Sequence, residues 1–202
     1  MNIPTTIVVI GRSGSGKGTQ IGLLKDFLEK NNQSVYHFES GNLFREMIKA
    51  EGYTSDRLRE FLNSGNLVPD FFTDWLLVNN LVKNLNNKQQ TLILDGYPRT
   101  IHQVHTLDSA LMYYGREKVF VIHVQVSEQE VRRRMVERGR GDDENMTAVE
   151  NRIRFHNEKV LPSLDLLRTK DNYTVVDIDG EGNIEDIQAL IISALTTNKH
   201  EI

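Results

Sequence analysis

The sequence predicts an α/β protein in three layers, a parallel sheet of five strands between helices. Two observations predict it. Apolar runs at 5–10, 34–38, 91–94, 119–126 and 173–178 are mostly continuous rather than alternating, as strands covered on both faces are. Stretches with helical periodicity separate them, and this alternation implies parallel strands joined by right-handed crossovers.

The first strand and first helix frame the most informative segment. Thr6-Ile7-Val8-Val9-Ile10 reads as a buried strand, and Gln20 to Leu28 as an amphipathic helix. Between them runs Gly11-Arg12-Ser13-Gly14-Ser15-Gly16-Lys17-Gly18-Thr19. Strand, glycine-rich turn and helix make a phosphate cradle of the P-loop type. Its glycines let the backbone turn N–H groups toward an anion, and Lys17 adds a point charge for the distal phosphates. Thr19 stands one position later than the general pattern sets its hydroxyl. The cradle predicts a bound nucleoside triphosphate.

Residues 40–85 are too many for one crossover helix and predict several, with a turn at Ser64-Gly65-Asn66. Phe71, Phe72 and Trp75 in this segment read as packing residues. Ser127-Glu128-Gln129-Glu130 predicts a capping box opening a helix that runs to about Arg138. A polar, glycine-bearing loop follows at 139–145. Asn183 caps a last helix from Ile184 to about Leu195, with Glu185 and Asp186 favourable in its first turn. The chain reads as one domain over 1–202: a core of 1–39, 69–138 and 147–202, an insertion at 40–68 and a short loop insertion at 139–146.

Composition narrows the function classes. A formal net charge of −4 disfavours general nucleic-acid binding. No apolar stretch approaches the roughly 20 residues of a membrane span, and the first residues do not resemble a secretory signal. The chain has no cysteine, so disulfides and cysteine–zinc sites are excluded, and a cytoplasmic protein is expected. His102 and His105 share a helical face without a third ligand at suitable spacing and read as surface or packing residues.

Phosphoryl transfer needs cations from several segments and carboxylates that hold Mg²⁺ through water. Asp95-Gly96-Tyr97-Pro98-Arg99 directly follows the third strand. An Asp at that position is placed to order magnesium waters, and Arg99 to reach phosphate. Arg134 and Arg138 lie four apart and share a helix face, whereas Arg132 and Arg133 point elsewhere, toward solvent.

These motifs together resemble the adenylate kinases, a family of nucleoside monophosphate kinases, over roughly residues 7–195. Gly-Lys-Gly-Thr-Gln at 16–20 is similar to the family's start, and Asp95 to Thr100 with Gln103 to its Asp-Gly-aromatic-Pro-Arg-Thr motif and adenine-reading Gln. Ser40-Gly41-Asn42-Leu43-Phe44-Arg45 resembles the acceptor motif, and Gly65-Asn66-Leu67-Val68 the segment closing over the acceptor base. The resemblance implies that Ser40, Arg45, Asn66, Leu67, Val68, Gly96, Tyr97, Pro98, Arg99 and Gln103 surround AMP. It implies that Gly14, Ser15, Gly16, Lys17, Gly18, Thr19, Arg134, Arg138 and Gly182 bind ATP. Arg140 and Arg152 would clamp the transferring phosphoryl group, beside AMP. The spacing between those two arginines is one residue longer than the family's, which leaves the register of Asp142, Asp143 and Glu144 open.

The resemblance further implies a short-lid enzyme without structural zinc. Its reaction is Mg·ATP + AMP ⇌ 2 ADP, with Thr19 and Asp95 serving Mg²⁺, the latter through water. Lys17, Arg99, Arg138, Arg140 and Arg152 are the expected catalytic cations. A monomer is expected, with no nucleic-acid or membrane partner. Two alternatives stay open: a UMP/CMP kinase of the same fold, and a nucleotide-binding regulatory module without turnover.

Overall fold

The structure is a computed structural model and describes residues 3–139 and 145–197. Its five parallel strands are β1 (Thr6–Gly11), β2 (Val35–Glu39), β3 (Thr91–Asp95), β4 (Val119–Gln125) and β5 (Tyr173–Asp179), in the order β2-β3-β1-β4-β5. The helices are α1 (Lys17–Lys30), α2 (Ser40–Met47), α3 (Tyr53–Asn63), α4 (Asp70–Asn84), α5 (Ile101–Tyr113), α6 (Glu128–Arg138), α7 (Met146–Phe155), α8 (Leu161–Arg168) and α9 (Ile184–Thr197).

The continuous apolar runs are explained by a core on each face of the sheet. Ile7, Val9, Ile93 and Ile122 pack with Leu24 of α1, Met135 of α6, Ile153 of α7 and Ile191 of α9. Val8, Ile10, Leu92 and Leu94 turn to the other face, against Leu77 of α4, Leu107 of α5 and Leu164 of α8. Successive residues of β1 therefore alternate between two dry interiors, and both must be apolar.

The strand ends differ slightly from the apolar runs. β2, β3 and β5 each continue onto an acidic residue, because the parallel ladder pairs Glu39 with Asp95 and Gln125 with Asp179. Backbone pairing, not side-chain polarity, decides where these strands stop. α1 begins at Lys17 rather than Gln20, so the last cradle residues form its first turn. Free N–H groups of a first helical turn are the donors an anion uses.

Two expectations are corrected. Ser127 does cap α6, accepting a hydrogen bond from the Glu130 N–H at 3.3 Å, but the reciprocal half of the box is absent. Glu181 takes the Ser127 N–H at 2.7 Å, while the Glu130 carboxylate pairs with Arg133 and Arg134. Of the three aromatic residues expected to pack, only Phe72 lies against the core, with its ring 5.8 Å from Phe44. Phe71 and Trp75 are 75% and 50% exposed and stack on Phe72 from outside. Leu76, Leu77 and Leu81 already fill the buried face of α4, so these rings turn outward. Among the described residues no helix is long and apolar enough to cross a membrane.

Candidate active site

All strands point their C-terminal ends the same way, and the phosphate cradle leaves the central one, β1. At this edge of a parallel sheet, loops diverge and open a crevice. Here it is a cavity of about 990 Å³, bordered by the cradle, the insertion, the turn after β3 and the ends of α6 and α7.

The cradle is built by backbone. Gly16 has φ 86°, a left-handed conformation that aims the chain into α1 and that side chains resist. The Ser15 N–H donates to the Arg12 carbonyl at 3.0 Å, and the buried Ser15 hydroxyl has no hydrogen-bond partner. Arg134 lies outside the cavity lining, with Nη1 3.4 Å from the Ser15 carbonyl oxygen and Nε 2.6 Å from Glu130. Arg132 and Arg133 pair with surface glutamates, as their position on α6 predicts.

Lys17, Arg45, Asn66, Leu67, Gly96, Tyr97, Pro98, Arg99, Arg138 and Arg152 line the one cavity, although they come from segments far apart in sequence. The insertion is held over it by close backbone contact. Gly65 has φ 71°, and a Cβ there would press on the Ala148 carbonyl and lie 2.8 Å from the Ala148 Cα on α7. Asn151 of α7 donates to the Ser64 carbonyl at 2.8 Å. Ser40, at the start of α2, is buried and donates to the Gly96 carbonyl at 2.9 Å, tying the insertion to the turn after β3.

Other expected site residues lie off the lining. Val68 is buried in the core, and Gly18, Thr19 and Gly182 are exposed. Gln103 is buried, and its amide is used internally: Oε1 accepts from the Arg99 N–H at 2.8 Å and Nε2 donates to Asp70 at 2.8 Å. Reading a base would require one of these bonds to exchange. Tyr97 is similarly fixed, its hydroxyl donating to Asp74 at 2.7 Å. Arg140, with Asp142, Asp143 and Glu144, lies outside the described residues.

The electrostatics favour an anion. Burial pushes the Lys17 ammonium down from its ordinary value; Asp95 opposes this, while Arg99 and Arg138 add to it. Burial likewise lowers Arg99, opposed by Asp95 and reinforced by Arg152 and Arg45. The cations thus repel one another in a partly dry space, and a polyphosphate would relieve that repulsion.

Among the lining residues that the sequence reading did not single out are Glu39 and His156. Glu39 ends β2 immediately before the acceptor motif and reaches Arg45. His156 sits in the π-helical turn His156–Val160, four residues after Arg152, a spacing that puts both on one helix face. Burial first, then the charges of Arg12 and His123, push the His156 imidazole down to about 3 from 6.5. Between these values the unfolded chain holds the extra proton, so stability falls as pH is lowered through that window. His156→Leu is expected to remove about 1 kcal/mol per pH unit of this slope between pH 6 and 4. Urea unfolding of both proteins across that range checks it; parallel pH profiles would refute it.

Comparison with known proteins agrees with this geometry. A family model described as adenylate kinase matches residues 9–172. The adenylate kinase of Corynebacterium urealyticum is 33% identical over 189 residues, covering 94% of this chain and 98% of that protein. That of Flavobacterium psychrophilum is 33% identical, covering 90% and 93%. That of Mycobacterium sp. strain MCS is 32% identical, covering 94% and 98%. With a cationic cavity above a phosphate cradle and matches along most of its length, the chain belongs to the adenylate kinase family and is an ATP-dependent nucleoside monophosphate phosphotransferase.

Proposed function

We propose that the cavity holds both nucleotides at once, ATP on the cradle side and AMP beneath the insertion, and that a phosphoryl group passes directly between them. The carrying observation is the convergence of Lys17, Arg45, Arg99, Arg138 and Arg152 on one cavity. Binding one nucleotide does not need cations from so many segments, whereas two phosphate chains brought together do.

Lys17 and the cradle N–H groups hold the donor phosphates, with Arg134, Arg138 and the turn at Gly182 on the donor side. Arg45 and Arg99 hold the acceptor phosphate, while Asn66, Leu67, Val68, Tyr97 and Gln103 shape the base pocket. An acceptor phosphate oxygen attacks the γ-phosphorus, and the bond to the β–γ bridging oxygen breaks, leaving two ADP. Arg138 and Arg152 face the charge that develops in transfer, a role that the family resemblance gives also to Arg140.

The residues present fit Mg²⁺. Asp95, buried at the end of β3 and close enough to act on the charge of Lys17, offers the hard carboxylate oxygens that the ion takes. Asp95, through water, and Thr19 would hold the ion. When bound, Mg²⁺ neutralises and orients the donor phosphates. The same reading takes the protein as a cytoplasmic monomer.

A coupled assay with Mg·ATP and AMP, CMP, UMP, GMP or dTMP tests the proposal. Turnover with AMP far above the others is expected. Preference for a pyrimidine would move the acceptor assignment, and binding without transfer would remove the catalytic one.

A further inference from the structure

We infer that Glu39 is a built-in competitor for the acceptor phosphate, an internal anion that weakens acceptor binding. The inference rests on the proposal that Arg45 takes that phosphate. Glu39 and Arg45 both line the cavity, and Glu39 Oε1 accepts from Arg45 Nη2 at 3.0 Å. The guanidinium is folded back over the first turn of its own helix: a Cβ built on Gly41 would lie 3.3 Å from Nη1. Thus the pair leaves one edge of the guanidinium bonded to a carboxylate.

Glu39 has a second anionic neighbour. The ladder places it opposite Asp95, and their carboxylate oxygens lie within 4.8 Å of one another. An arriving phosphate therefore meets the Glu39 carboxylate in the cavity lining, with the buried Asp95 carboxylate close behind it. It must displace Glu39 from Arg45 or share the guanidinium with it at close range. Either course subtracts from acceptor affinity, because a bidentate arginine–phosphate pair uses donors that Glu39 holds. The pair is about one-third exposed on each side, so it is weak enough to exchange. The benefit is release: a product nucleotide leaving Arg45 is replaced at once by an internal partner.

Steady-state kinetics on the full chain test this. Glu39→Gln is expected to lower KM for AMP about tenfold while KM for Mg·ATP stays within about twofold. Calorimetric titration with AMP alone should show the same gain. Glu39→Ser should repeat it, which guards against a variant that folds poorly, and Glu39→Asp should keep the wild-type KM. An unchanged or raised KM for AMP in both neutral variants would overturn the inference and make Glu39 an orienting partner of Arg45. A fall in the Asp variant equal to that in Gln would overturn it too, since charge would not be the cause. Absence of turnover in the wild type would remove the underlying proposal, whereas turnover with unaltered KM removes this inference alone.

Discussion

Arg99→Lys is expected to lower kcat/KM for AMP by about a hundredfold, although the charge is kept. Arg99 is fixed from two sides. Its Nε donates to the Gly96 carbonyl at 2.8 Å, and its backbone N–H to Gln103 at 2.8 Å. The planar fork left over faces the cavity beside Arg45 and Arg152, whose charges it feels. A lysine has no second edge, so it cannot hold Gly96 and a phosphate together, and its ammonium would be buried among cations. Circular dichroism should show a folded protein. Saturation kinetics then separate the effects: KM for AMP should rise and kcat should fall, with KM for Mg·ATP little changed. Near-wild-type turnover would remove Arg99 from the acceptor phosphate.

Gly65→Ala should destabilise the protein by about 3 kcal/mol or more, lowering Tm by roughly 6–12 °C. Two costs combine. The left-handed φ of 71° strains any side chain, and the new methyl would collide with backbone of α7, which cannot rotate away. The insertion must then lift from α7, stretching the Asn151–Ser64 hydrogen bond. Thermal unfolding gives the loss, and KM for AMP should rise as the cavity widens. Gly52→Ala is the control: φ is 125°, but a Cβ there meets nothing within 4 Å, so its cost should be backbone strain alone. Equal losses in the two variants would show that the contact with α7 carries no weight.

Local chemistry made much of this molecule legible. The five strands fall within one residue of the apolar runs because both sheet faces are dry, and the cradle is written in contiguous residues. What stayed hidden depends on distant chain segments. Nothing around Gly65 announces Ala148, and nothing in the acceptor motif says that Glu39 turns into the cavity. α4 carries two apolar stripes, one with Leu77 and Leu81 and one with Phe71, Trp75, Val78 and Val82; only tertiary packing chooses between them. Gln103 is the instructive case. The family resemblance implies that it reads the base, while its period with Leu107 and Leu111 marks it as interior, and the structure buries its side chain. Both signals were present, and they make different demands on the same amide.

Helix α7 touches the insertion through Ala148 and Asn151 and the cavity through Arg152. One helix therefore carries the contact that seats the insertion and a cation of the proposed transfer site. A shift of the helix would move both together. Acceptor capture and charge alignment would then share a single barrier, crossed once inward and once outward in each cycle. Substitutions at Ser64, Gly65 or Asn151, which form the contact between the insertion and α7, would then move the same rate constant as substitutions at Arg152.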